Sequence, residues 1–133
     1  MAPTAPMPQP TPLSAPFWAG TRAGELRLQC CDDCGAWRWT PQILCRVCHS
    51  PNSTWRATRG HGRLYSFTIV HRPPTPAFSA PYVVAVVELD EGPLMLTNLI
   101  DVAPEAIKID MPVKVAFRSQ PGDAVTLYPF TAA

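Results

Sequence analysis

From Leu26 the chain alternates, with apolar Leu26 and Leu28 set against polar Arg27 and Gln29, and Trp37 and Trp39 flanking Arg38. A period of two predicts strands with one buried face. Past Gly60 the pattern lengthens. Leu64 to Val70 is rich in aromatic and β-branched residues, and Tyr82 to Leu89 and Leu94 to Ile100 flank the hairpin turn Asp90-Glu91-Gly92-Pro93. Pro104 to Ile107 suits a single helical turn, and Val113 to Phe117 and Val125 to Phe130 predict two more strands about the turn Gln120-Pro121-Gly122-Asp123. Five strands with a helical link between the third and fourth suit a five-stranded OB-type Greek-key barrel. Periodicity alone also allows a small sandwich.

The N-terminal part reads differently. Residues 14 to 25 predict a short helix, with Ser14 as N-cap and Pro16 in the first turn. Phe17 and Trp18 then stand side by side in that turn and need burial. The host is either this chain's own ribbon or a partner's surface, and the partner is favoured because so short a helix has little else to stabilise it. Residues 1 to 16 hold six of the seventeen prolines and no charged side chain. Such a segment is expected to be a disordered leader with polyproline II character, a simpler reading than a ligand for a proline-binding module. The expected organisation is a leader over residues 1–13, a helix and ribbon over 14–58, and a barrel over 59–133.

Chemistry concentrates in the ribbon. Cys31-x2-Cys34 is followed, after ten residues, by Cys45-x2-Cys48. Two intervening residues let both thiolates of a pair reach one metal from a tight turn, and Gly35 relieves the sterics of the first turn. Two such pairs close a tetrahedral site for structural Zn²⁺, with iron in a rubredoxin-like site as the rival. Four thiolates leave no position for water or substrate. His49 follows the second pair where glycine is more usual and is an alternative ligand. Cys30 adjoins Cys31, so it should face the other side of the strand as a small apolar filler.

Net charge is +1, with nine Arg against two Lys. That balance disfavours tight backbone binding of nucleic acid, although a ribbon–barrel module for nucleic acid stays the alternative class. The longest apolar run, Tyr82 to Val87, is strand-sized, and the N-terminus has no secretory signal, so a cytoplasmic, membrane-free protein is expected.

The segments FWAG, LRLQCCDDCG, PQILCRVCHS, GRLYSFTIVHRPP, APYVVAVVELDEGPLMLTNL and DMPVKVAF, in that order, resemble the DUF35 family from about Phe17 to Phe130. The resemblance implies a rubredoxin-like zinc ribbon followed by an OB-fold. It also implies a non-catalytic accessory subunit that binds a thiolase-superfamily enzyme (thiolase, aldolase or HMG-CoA synthase-like) in a hetero-oligomer and helps form its acyl-CoA site. Some members accompany MaoC-like hydratases, which keeps that partner open. His49 and Asp110 depart from the family pattern, each standing where glycine is common.

Against that background, Arg38, Arg46, Arg56, Arg59 and Arg63 fall in the ribbon and at its junction with the barrel. Arg38, Arg59 and Arg63 are candidates for the phosphates of coenzyme A. His71-Arg72-Pro73-Pro74 opens a long loop whose one large apolar side chain is Phe78, so His71 and Phe78 join Phe17 and Trp18 as candidate partner contacts. His61 and His71 have no nucleophile or paired carboxylate beside them in sequence, so no catalytic residue is assigned.

Overall fold

The computed structural model describes residues 5–122 and 125–133. Helix α1 spans Ala15–Arg22 and leads into a three-stranded ribbon of β1 (Arg27–Cys31), β2 (Trp37–Arg38) and β3 (Ser53–Ala57), in the order β2-β1-β3. Five further strands close a barrel: β4 (His61–Val70), β5 (Tyr82–Leu89), β6 (Leu94–Leu99), β7 (Pro112–Val115) and β8 (Phe130–Ala132), ordered β4-β5-β6-β8-β7. Closure excludes the sandwich. The link between β6 and β7 carries one 3₁₀ turn, Pro104–Ala106. No helix among the described residues is long and apolar enough to cross a membrane.

Strict alternation sets the barrel. Along β5, Val83, Ala85, Val87 and Leu89 point inward while Tyr82, Val84, Val86 and Glu88 face out. Val83, Val87 and Leu89 meet Leu64, Met95, Leu99, Val113 and Phe130 in one core. Gly62 lies so close to β5 that an added Cβ would collide with the Glu88 carbonyl and the Val87 side chain. Only glycine lets the strands approach there.

Three departures from the sequence reading have local causes. The last strand lies later than expected, at Phe130–Ala132; over residues 125–129 pairing is limited to an isolated bridge between Arg118 and Leu127. The expected turn before it, Gln120 to Asp123, ends at a residue outside the described ones. Ser14 sits at the helix N-cap, but its hydroxyl does not cap the helix. It accepts a hydrogen bond from the Thr11 amide at 2.9 Å, and the Ser14 amide donates to Thr11 Oγ1 at 3.1 Å.

The third departure concerns Phe17, which is fully buried inside this chain and is not offered to a partner. Its ring lies 4.5 Å from Trp39 of the ribbon, 4.9 Å from Trp18 and 5.2 Å from Tyr128 of the barrel. The helix is short, but the ribbon and barrel together supply the apolar surface it needs. Gly20 permits the approach, because a Cβ there would meet the stem of Arg27 at 2.8 Å. Helix, ribbon and barrel therefore share a single core.

Candidate metal centre and partner surface

Two turns of like construction carry the four cysteines. In the first, the Cys31 amide donates to the Ala36 carbonyl at 2.8 Å and the Gly35 amide to the Cys31 carbonyl at 3.0 Å. In the second, the Cys45 amide donates to the Ser50 carbonyl at 2.9 Å and the His49 amide to the Cys45 carbonyl at 2.9 Å. Gly35 and His49 occupy equivalent left-handed positions, with φ of 77° and 63°. The second turn thus keeps its geometry with histidine bearing the strain that glycine avoids. Asp110, with φ of 68°, does the same beside β7. The turns are joined by Asp33, which accepts a hydrogen bond from the Ser50 hydroxyl, and the first turn is tied to β3 by Asp32, which accepts one from Thr54 Oγ1 at 2.7 Å.

This framework brings the Sγ atoms of Cys31, Cys34, Cys45 and Cys48 within 4.8 Å of one another. Cys31 and Cys48 are 3.5 Å apart and Cys34 and Cys45 3.6 Å. Sulfurs bound to one tetrahedral Zn²⁺ at about 2.3 Å stand about 3.8 Å apart, so the four fit a single ion. His49 is exposed and outside the cluster. Cys30 is buried and outside it too, its thiol directed at the Gly35 carbonyl 3.5 Å away.

The thiols differ in acidity. Hydrogen bonds from the Cys48 and Val47 amides, opposed by burial, hold Cys45 down at about 6. At Cys34 the Ala36 amide pulls the same way, but burial and the neighbouring sulfurs prevail and push it up to about 12. Cys31 is lowered, chiefly by the Cys34 amide. Cys48 is raised: the Ser50 amide favours its thiolate, but Cys31 and burial outweigh it. Four thiolates cannot ionise side by side without a cation, and a divalent metal supplies that charge.

The arginines singled out in the sequence do not share one environment. Arg38 is buried, 5% exposed; its Nη1 donates to the Gln42 carbonyl at 3.3 Å, and Nε and Nη2 have no partner among the described residues. The alternation that put Arg38 outward fails because β2 is a two-residue edge strand, covered on that side by the turn at Gln42. Arg59 pairs with Asp90 at 3.5 Å, and Arg63 with Glu88 at 2.9 Å and Asp110 at 3.6 Å. His71 is exposed, and Phe78 is half-buried with its ring stacked on Tyr82 at 5.8 Å. Trp18 is half-buried against the core.

The sequence reading missed an apolar knob on the second cysteine turn. Ile43 and Val47 are 74% and 71% exposed, and Leu44 stands beside them. Val47 sits inside a turn clamped by two metal ligands, which has no interior, so it must face out, and Ile43 and Leu44 lie on the approach to that turn. The tight Cys45–Cys48 spacing was the available signal.

A four-cysteine ribbon fused through a shared core to a closed five-strand barrel defines a ribbon–OB module. The chain belongs to the DUF35 family. Residues 18–54 match the rubredoxin-like zinc ribbon domain of ChsH2, and residues 55–118 match the C-terminal OB-fold domain of ChsH2. A probable enoyl-CoA hydratase alpha subunit of Thermomonospora curvata is 42% identical over 73% of this chain and 31% of its own. The 3-oxo-4,17-pregnadiene-20-carboxyl-CoA hydratase alpha subunit of Mycobacterium tuberculosis is 36% identical over 76% and 32%. This chain therefore spans about a third of the length of those two relatives. A DUF35 domain-containing scaffold protein of Methanothermobacter thermautotrophicus is 34% identical over 66% of this chain and 68% of its own. Among solved structures, a chain of the Ltp2-ChsH2(DUF35) aldolase superposes with a TM-score of 0.84 at 35% identity, covering 94% of this chain and 98% of that one.

Proposed function

We propose that this protein is a non-catalytic accessory subunit that docks on an acyl-CoA enzyme and helps shape its acyl-CoA site. The observation that carries the reading is the end-to-end match to the DUF35 chain of an Ltp2-ChsH2 aldolase. A thiolase-superfamily enzyme, in particular an aldolase working on a lipid or steroid acyl-CoA, is the proposed partner. The hydratase alpha subunits among the relatives favour one second reading, a MaoC-like acyl-CoA hydratase as the partner.

The proposed docking surface is the knob of Ile43, Leu44 and Val47, joined by half-buried Trp18 and by His71 and Phe78 of the long loop. Zinc would hold the knob rigid, which lowers the entropy lost on binding. Among the arginines, exposed Arg59 and Arg63 are the proposed contacts for coenzyme A phosphates. A phosphate would take over from the carboxylates that pair with them now. The proposed ribbon–barrel boundary falls at residues 58/59, and the proposed location is the cytoplasm.

The test is to purify the tagged, zinc-loaded protein from its native host and identify what accompanies it by mass spectrometry. A stoichiometric thiolase-superfamily enzyme supports the first reading and a stoichiometric hydratase the second. Recovery alone, or with nucleic acid that salt removes, contradicts both.

A further inference from the structure

Between the ribbon and the tip of the β5–β6 hairpin lies a pocket of about 370 Å³. Trp37, Arg38 and Trp39 of the ribbon line it, with Arg46 and Val47 of the second cysteine turn and Pro93 of the hairpin. Two of the lining side chains are cationic and none is acidic. Val47 belongs to the exposed apolar knob, so the pocket borders the proposed docking surface.

Arg38 is the member without a match. It pairs across the ribbon with Gln29, and both side chains end on one acceptor. Gln29 Nε2 donates to the Gln42 carbonyl at 3.0 Å and Arg38 Nη1 donates to it at 3.3 Å. The other edge of the guanidinium, formed by Nε and Nη2, is buried and has no partner among the described residues, neither a sulfur of the metal centre nor a carboxylate. The acidic residues of the hairpin tip are engaged elsewhere, Asp90 by the Arg59 guanidinium at 3.5 Å and Glu91 Oε2 by the Arg59 amide at 3.0 Å. Glu91 Oε1 is buried without a partner, but it makes no ion pair with Arg38. A buried cation with two idle donors is costly unless an anion meets it. Those two N–H groups point the same way, in the spacing that holds both oxygens of one carboxylate.

We propose that this pocket is a socket for a carboxylate side chain of the partner enzyme, seated on the Nε–Nη2 edge of Arg38 beside the apolar knob. The occupant rests on the accessory role proposed above; the anion site itself does not. Charge selects a carboxylate over a phosphate. Arg38 is 5% exposed, so one negative charge neutralises it, and Cys45 of the metal centre also lines the pocket. Four thiolates around one divalent ion leave that centre net negative, which repels a dianion. Nε and Nη2 are shut off from solvent in the free chain, so a wall must yield to the ligand. Arg46 is the wall that can move, being exposed and in no ion pair among the described residues. The knob then supplies apolar area to the interface and the socket fixes its register.

The test uses the zinc-loaded full chain labelled with ¹⁵N and sodium acetate as the probe, with equal sodium chloride as the control for ionic strength. Acetate is expected to move the Arg38 Nε–H and the Trp37 and Trp39 indole N–H signals saturably below ~100 mM, and chloride is not. This titration needs no variant, so it decides even where Arg38→Lys does not fold. Arg38→Lys keeps the charge and lacks the fork, so the indole shifts should vanish while zinc stays at about one per chain. It should also bind the co-purified enzyme at least ~10-fold more weakly. No acetate shift in a chain that still pairs with its enzyme overturns the socket and leaves the accessory role standing. A shift in a chain that pairs with no enzyme overturns the accessory role and the occupant with it. Inorganic phosphate that binds more tightly than acetate, or an enzyme that binds Arg38→Lys unchanged, overturns the carboxylate assignment. An Arg38 Nε–H signal that moves in Glu91→Gln without acetate makes Glu91 the counter-ion and overturns it too.

Discussion

The Phe17 ring meets the Tyr128 ring edge to face, with centroids 5.2 Å apart. That contact ties the first helix to the last part of the barrel, and Trp39 brings in the ribbon at 4.5 Å from the same phenyl ring. Ribbon and barrel are therefore not beads on a string. Phe17→Ala should destabilise the zinc-loaded protein by about 3–5 kcal/mol, measured by urea unfolding with zinc in excess. Trp18→Ala, at a half-buried position, should cost less. Equal, small losses for both would mean that the aromatic cluster does not join the parts.

The metal centre is tested by substitution. Cys34→Ser or Cys48→Ser should lower zinc content well below one per chain together with soluble yield, read by elemental analysis of the purified protein. Cys30→Ser should keep about one zinc per chain, because its thiol lies outside the cluster. Full zinc with unchanged folding in Cys34→Ser would remove the ligand assignment.

Acid should release the metal. Cys45 is held down at about 6, below its ordinary 9.0. Its thiolate therefore contributes stability that is complete above its unfolded value and is lost as pH falls through about 6. Cys34 is pushed up to about 12, and Cys48 is raised as well, so a metal must expel protons from both. Zinc binding at pH 7 should thus release at least about two protons, and apparent affinity should fall about 100-fold or more per unit of acidification. Calorimetry in buffers of different ionisation enthalpy measures this. Binding without proton release would contradict the four-thiolate site.

The knob on the second cysteine turn gives a prediction about assembly. Ile43→Asp with Val47→Asp should weaken association with the partner enzyme at least tenfold by light scattering. Zinc content and thermal unfolding should not change, because both side chains are already in solvent. Unaltered association would move the docking face to Trp18, His71 and Phe78.

What was legible in the sequence was whatever repeats locally. The cysteine spacing disclosed the metal centre because four thiolates and two tight turns are a local constraint. The apolar run Tyr82 to Val87 beside the turn Asp90-Glu91-Gly92-Pro93 disclosed β5, a strand whose alternate residues fill the core. Long-range packing was not legible. Nothing near Phe17 says that Trp39 and Tyr128, both distant in sequence, will enclose it. Arg38 read as an outward residue because alternation assumes a regular strand, and β2 is too short to obey it. The pairing of Arg59 and Arg63 within the chain was not legible either, because their acidic partners lie on the β5–β6 hairpin and before β7. The last strand was misplaced because the apolar stretch of residues 125–129 fills space through side chains while most of its backbone stays out of the ladder.

The most direct test of the accessory role is acyl-CoA turnover by three purified samples: this protein alone, its co-purified partner alone, and the two together with zinc bound. The account predicts no turnover by this protein alone, little by the partner alone, and full activity from the pair. Turnover by this protein alone, or a partner equally active without it, would contradict the account.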